Sequence, residues 1–392
     1  FPFFKKEWGV SDTQCGLLLA TVNWSITVFA IPVAFLADRW SRKKTVGLMS
    51  TIWGLAALAS AFTANFSQLL FTRFLVGMGE AGYIPVGSSL ISALFPQRLR
   101  STLIGIFFGA GAVGAAFGVM LGGWIAFHYG WRHAFGIVAI PGLIFAILFF
   151  FIRDYRTVGL TISAQESQDL SARRKMTRRE IMKDLLGKPS LVFIYFGTVM
   201  AVFFMGAMGN WLPTFFVRVH GLTIVEASMR TGLVLIVCIF GNYVGGFIAD
   251  KFISRGVTNG RLLTAGLLQF CSFLLFLTAF GLFQGKVQFL VLILAGFFYS
   301  AFTGPVYASI VELVHAGLRS TAISVMTLIQ NVLGFALGPI FTGVLSDRFG
   351  IGTAMIACSF VPALSMILYL VGAGFYTRDL AKVEKIKIEM EE

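Results

Sequence analysis

The apolar run 68–95 holds two ionisable side chains, Arg73 and Glu80. They lie seven residues apart, about two turns of helix, so on a helix they share a face. Glu80 falls near the middle of the run and Arg73 closer to its external end. A charge deep in a bilayer is costly and seldom faces lipid. Both therefore point inward, to a cavity between helix bundles. A guanidinium there can bind an anion, and a carboxylate there can exchange a proton, because desolvation disfavours its ionised form. The alternative is a fixed charge pair that only joins helices.

Other polar and aromatic residues inside apolar runs are weaker candidates. Asn23, Tyr83, Asn210, Tyr299, Tyr307, Gln330 and Asn331 are placed to line a substrate or coupling site. Each alone reads more readily as a helix–helix hydrogen bond. Asn210 and Trp211 precede Pro213 near the external end, where they would shape an outer gate. Tyr299 and Tyr307 flank Gly304-Pro305, a break that bends its helix over the cavity. Glu312 and His315 stand at a cytoplasmic helix end and read as solvated. No histidine lies mid-span, which speaks against a histidine proton relay. Trp124 and Trp131 read as membrane-interface anchors.

A second group is charged and terminal. Asp38, Arg39 and Arg42 follow the first apolar run, and Asp250 with Lys251 repeats that arrangement. A carboxylate there can accept hydrogen bonds from a neighbouring helix end. The reading is a gating latch that holds one conformation; ordinary loop charge is the alternative.

No GxxxxGK[ST] loop is present, so nothing points to direct ATP drive. Neither HExxH nor GxSxG occurs. An enzyme, a metal site and a cofactor are not expected. Cys15, Cys238, Cys271 and Cys358 lie in apolar runs without CxxC spacing and read as small buried hydrophobes.

The elements that must carry these residues follow from composition. Of 392 residues 57% are hydrophobic and 12% charged, about half the charge of a soluble domain. Mean hydropathy is +0.83. Runs long enough to cross a bilayer fall at 14–37, 45–64, 68–95, 101–127, 134–152, 189–213, 224–249, 261–283, 288–313, 319–344 and 351–375. The expected fold is therefore an all-α membrane protein of eleven spans. The polar stretch 153–188, with Arg173, Arg174, Lys175, Arg178 and Arg179, is a linker. It divides an N-terminal bundle, 1–152, from a C-terminal bundle, 189–376, with a tail at 377–392.

Net charge is +13, but it sits in short loops and reports topology, not nucleic acid. One set of loops holds only Lys5, Lys6, Arg132, Arg218, Arg230, Lys286 and Arg348. Apart from Arg73, every other Lys and Arg lies in the opposite set. That richer set is cytoplasmic, which puts residue 1 outside and the C-terminus inside. Ser11 and Asp12 are placed to cap the first helix. The odd count implies that one helix of the first half is absent from the sequence.

The halves repeat each other. "AFLADRWSRKK" at 34–44 matches "GFIADKFISRG" at 246–256, and "LRST" recurs at 99–102 and 318–321. Gly114, Gly118 and Gly123 answer Gly334, Gly338 and Gly343. Parallel repeats place the site between two bundles near mid-membrane. Arg73 and Glu80 correspond to Leu292 and Tyr299, so any charge coupling resides in the first half.

"ADRWSRKK" resembles the signature cytoplasmic loop of the major facilitator superfamily, with Ala34 and Ser41 where glycine is usual. "RFLVGMGEAGY" (73–83) resembles that family's fourth-helix motif, and "GAGAVGAAFGVMLGG" (109–123) its fifth-helix glycine motif. The resemblance makes the spans helices 2–12, with helix 1 absent. "GEAGY", "FPQRLRST" and "GNWLPTFFVRVHGL" resemble both bacterial spinster-type carriers and the organic-anion and sugar-phosphate permease branch. The resemblance implies a secondary transporter of a small, anionic organic solute, coupled to protons by alternating access. A carrier or exporter of lysophospholipid- or sphingolipid-like molecules is one alternative, and a non-transporting receptor or assembly partner another. It also implies a monomer in a bacterial inner membrane.

Overall fold

The structure, a computed structural model, describes residues 2–39, 42–83, 97–151, 178–315 and 318–383. Among these residues every regular element is helical. A short α1 (Pro2–Trp8) precedes α2 (Asp12–Arg39), α3 (Arg42–Ser60), α4 (Phe66–Glu80), α5 (Gln97–Tyr129) and α6 (Trp131–Phe149). The second half comprises α7 (Arg178–Leu186), α8 (Pro189–His220), α9 (Ile224–Ser254), α10 (Gly260–Gly281) and the broken span α11 (Gly285–Ser300) and α12 (Thr303–Leu313). Then come α13 (Arg319–Ile329), a π turn (Gln330–Phe335), α14 (Leu337–Phe349), α15 (Ile351–Cys358) and α16 (Val361–Leu380). Eight of these stretches are long and apolar enough to cross a membrane. With α3, α4 and α5 they account for the eleven hydropathy runs.

Local chemistry sets the boundaries. Ser11 and Gln14 cap α2 reciprocally, each backbone N–H bonding the other's side chain. Asn65 accepts the Gln68 N–H to open α4. Thr223 and Glu226 form a capping box at α9. Gly221, at φ 65°, ends α8 in the left-handed conformation. The internal repeat reaches the backbone. Gly130 (φ 87°, ψ 155°) opens α6 and Gly350 (φ 81°, ψ 157°) opens α15 with nearly the same turn. That region suits glycine alone.

Helices α2–α6 pack on one another, and α8–α16 pack on one another. Three pairs join the halves among the described residues, chiefly α2 with α14 and α5 with α9, and more lightly α2 with the π turn. The first two meet near the end of the molecule that carries Asp12. A Cβ added at Gly16 would lie 2.5 Å from the Pro339 carbonyl oxygen, and one at Gly343 2.5 Å from that of Asp12. Gly123 abuts Ser228, and Gly232 abuts Met120. Toward the other end a Cβ added at Gly111 or Gly246 would meet no described atom within 4 Å. The bundles are closed at the Asp12 end and diverge toward the Asp250 end.

The core is aromatic and lies mainly in the second half. Tyr299 packs edge-on to Phe204, Phe276 and Phe302. Its hydroxyl donates to the Ala201 carbonyl of α8. Tyr299 is therefore a packed core residue and not part of a cavity wall. Trp131 is also buried. It sits edge-on to Trp8 and donates to Glu7, and is not a lipid anchor, whereas Trp124 is exposed.

Candidate functional site

On α4, Arg73 and Glu80 do share a face, and that face turns toward α3 and α6. The Arg73 guanidinium donates to Ser60 Oγ at 2.5 Å and lies 4.5 Å from the Phe135 ring centre. Its Nε is buried without a hydrogen-bond partner. Among the described residues no ion pair links Arg73 to Glu80. The fixed-pair alternative therefore does not describe this conformation.

Glu80 opens onto a cavity of about 570 Å³ lined by Ser50, Trp53, Tyr83, Pro141, Phe145 and Phe149, among others. Its carboxylate is accessible from the cavity yet ringed by apolar side chains. Tyr83 stacks on Phe107 at 5.0 Å. Among the described residues the lining belongs to α3, α4 and α6 with Tyr83. The cavity lies within the first bundle, not between the bundles as the sequence suggests.

The remaining candidates separate. Asn23 donates to Leu19 O and Asn210 to Gly206 O, each on its own helix. Both amides are thus satisfied locally. Trp211 is fully buried and donates to Pro339 O, so in this conformation it is packed within the second half. Gln330 is buried at the start of the π turn, and its Nε2 lies 3.4 Å from the Tyr307 hydroxyl. Its Oε1 has no partner, and neither has the Tyr195 hydroxyl. Asn331 follows within the same π turn, half-buried. A π turn inside a helix often marks a functional position.

At the Asp250 end, Asp250 is exposed and lies 3.6 Å from Arg261 of its own half. Arg261 pairs with Glu312, which accepts from the Tyr376 hydroxyl at 2.7 Å. Glu312 is thus bound into a cluster and not simply solvated. The His315 N–H donates to Asp184. Lys251 is exposed. The side chains of Asp38, Arg39 and Arg42 lie outside the described residues.

The strongest polar cluster was not foreseen. At the closed end buried Asp12 accepts two hydrogen bonds from Arg218, at 2.5 and 2.8 Å. It also accepts from Ser346 Oγ at 2.5 Å and from Lys5 at 2.9 Å. Asp347 in turn accepts the backbone N–H groups of Asp12 and Thr13 at 2.8 Å and the Thr13 hydroxyl at 2.7 Å. An anion at the start of α2 suits that helix's exposed N–H groups. This clasp ties α2 of the first half to α8 and α14 of the second. Asp12 is therefore a bridge between bundles, and capping α2 falls to Ser11.

Two bundles built from repeats, meeting at one end around a buried charge cluster, is a transporter architecture. A family model for the Major Facilitator Superfamily matches residues 1–339. The chain belongs to that superfamily. Protein spinster homolog 1 of Xenopus laevis is 26% identical over 98% of this chain and 78% of its own length. The hexuronate transporter of Bacillus subtilis (strain 168) is 25% identical over 89% of this chain and 83% of its own. The crystal structure of a bacterial homologue of the human lysosomal transporter Spinster, inward-facing and unoccupied, superposes with a TM-score of 0.84 at 23% identity. It covers 96% of this chain and 92% of that one. The superfamily fold accounts for the order of spans and for the pairing of α2 with α14 and α5 with α9. The chain is thus an integral, multi-pass membrane protein.

Proposed function

We propose that this chain is a secondary transporter that moves a small organic anion by alternating access, with proton coupling. The observation that carries the reading is the tight joining, among the described residues, of two repeat-related bundles at the Asp12 end. With the basic loops placed in the cytoplasm, the open end faces inward and the clasp is an external gate. The C-terminus is then cytoplasmic, in a bacterial inner membrane, and the monomer is the working unit. Release of the clasp, with closure around Asp38 and Asp250, would give the outward-facing state. Arg73 supports an acidic cargo, because it is a cation in an apolar setting with an unpartnered N–H. Glu80 supports coupling, because a carboxylate facing an apolar cavity can be neutral or charged at modest cost. A relative that carries hexuronates favours sugar acids.

The aromatic lining beside Glu80 supports a second reading, an amphiphilic lipid-like cargo with an acidic head. Reconstituted protein under an imposed pH gradient would be screened with glucuronate, a phosphate ester and a lysophospholipid. The expected outcome is uptake of an acidic compound that R73A abolishes and E80Q uncouples from the gradient. Flux of every compound that is indifferent to both variants would overturn the roles given to Arg73 and Glu80. Flux of the lysolipid alone would establish the second reading.

A further inference from the structure

Helix α7 stands at the Asp250 end, immediately before the spanning helix α8. Leu185 is part of the second-half core and Ile181 packs against it. The Asp184 carboxylate accepts the His315 N–H at 2.9 Å and pairs with Lys188, whose Nζ donates to Leu313 O at 2.6 Å. The helix is thereby fixed on the end of α12.

Its outward side carries two adjacent stripes. Met182 and Leu186, one turn apart, are 56% and 43% exposed. Arg179 and Lys183, also one turn apart, are exposed beside them. A helix lying at a bilayer surface has this arrangement, with apolar side chains in the acyl boundary and cations at phosphate level.

A second cationic element docks at the same end of α8. The Asp379 carboxylate accepts Ser190 N–H and Oγ at 3.0 and 2.9 Å, docking the end of α16 on the first turn of α8. Arg378 and Lys382 flank that aspartate at 3.6 and 3.1 Å and are both more than half exposed. Arg378 lies 5.2 Å from the Phe375 ring centre, and Phe375 stacks on Phe193 of α8. Cations thus surround an aromatic shelf at the level where a membrane span ends.

We propose that α7 and the end of α16 form a docking surface for the anionic phospholipid headgroups of the adjoining leaflet. Charge complementarity selects this partner: the rim presents Arg179, Lys183, Arg378 and Lys382 outward, while Asp379 and Asp184 are engaged within the fold. Because α7 is fastened to Leu313 and His315, its seating also steadies the end of the span that bears Tyr307.

The test uses the full chain in nanodiscs of phosphatidylcholine, alone or with phosphatidylglycerol, and follows hydrogen exchange in 178–188. Phosphatidylglycerol is expected to slow exchange roughly tenfold, since each basic side chain near an anionic surface contributes severalfold. The slowing should fade at about 1 M salt and disappear in R179Q/K183Q. M182S/L186S should speed exchange in both membranes alike. Equal exchange of the wild type in the two membranes overturns the proposal, as does slowing that survives R179Q/K183Q. If that variant loosens α7 in both membranes, the wild-type comparison with its salt dependence decides alone.

Discussion

Asp12→Asn tests the clasp most directly, because it removes the charge and keeps the shape. Asp12 is buried and receives Arg218 twice, Ser346 and Lys5. A hydrogen bond to a charged group contributes about 1.5–3 kcal/mol. The amide oxygen retains part of this, and the Arg218 side chain, 28% exposed, regains water. A net loss of about 2 kcal/mol follows, which raises the ratio of opened to closed end roughly 30-fold. Cys15 reports that opening. It is fully buried, three residues past Asp12. With Cys238, Cys271 and Cys358 replaced, a membrane-impermeant maleimide should label Cys15 roughly 30-fold faster in D12N than in the parent. Arg218→Ala should act similarly, and the double variant should fall short of the sum of the two, since both delete one interaction. Unchanged labelling in both single variants, or full additivity, would refute the assignment of Asp12 and Arg218 as the bond that holds this end shut.

Glu7 accepts from Arg132 and Trp131, and the Arg132 hydrogen bonds, first among its influences, hold its carboxyl below the usual range. A lowered folded value means the stabilisation is present above the unfolded value of about 4.3 and is lost as pH falls through the folded one. Glu7→Gln should therefore lower stability at neutral pH, by no more than about 1 kcal/mol for so exposed a pair, seen as a small drop in the thermal midpoint, and should match the parent in strong acid. Gly338→Ala would drive a Cβ into the Phe203 carbonyl, so a loss of about 1–3 kcal/mol is expected in thermal unfolding. Gly114→Ala, with nothing within 4 Å, should leave the midpoint unchanged. Tyr299→Phe removes the hydroxyl bond to Ala201 and should cost about 1 kcal/mol without altering transport; a large loss of flux would restore Tyr299 to the binding site.

Apolar run length and the repeated landmarks made the spans and the superfamily legible, since both reflect the bilayer's thickness and gene-level duplication of one bundle. The shared face of Arg73 and Glu80 was legible too, because helical periodicity alone decides it. Which neighbours that face meets was not. Spacing along α4 says nothing about α3 and α6, and the cavity at Glu80 proved to lie inside the first bundle. Asn23 and Asn210 looked like ligands because sequence cannot reveal a bond to the preceding turn. The clasp escaped notice because Asp12 and Arg218 are far apart in the chain and stand at span ends, where charges read as topology. Asp347 followed by Arg348 near a helix end was the available clue, being another Asp-Arg pair outside the repeated loop. Helix α7 was hidden within a polar linker whose charge masks the apolar stripe of Ile181, Met182, Leu185 and Leu186.

The π turn at Gln330–Phe335 has a mechanical meaning. It holds a residue more than the same rise of α-helix requires, and it sits between α13 and α14 of one span. Such surplus acts as slack in a cable. A change at the Asp12 end would then reach the segment beginning at Arg319 through this looser turn and not through an unbroken α-helical rod. The rest of the π turn lies between that end and Gln330, the residue that faces Tyr307, so the slack stands between the clasp and the middle of the span.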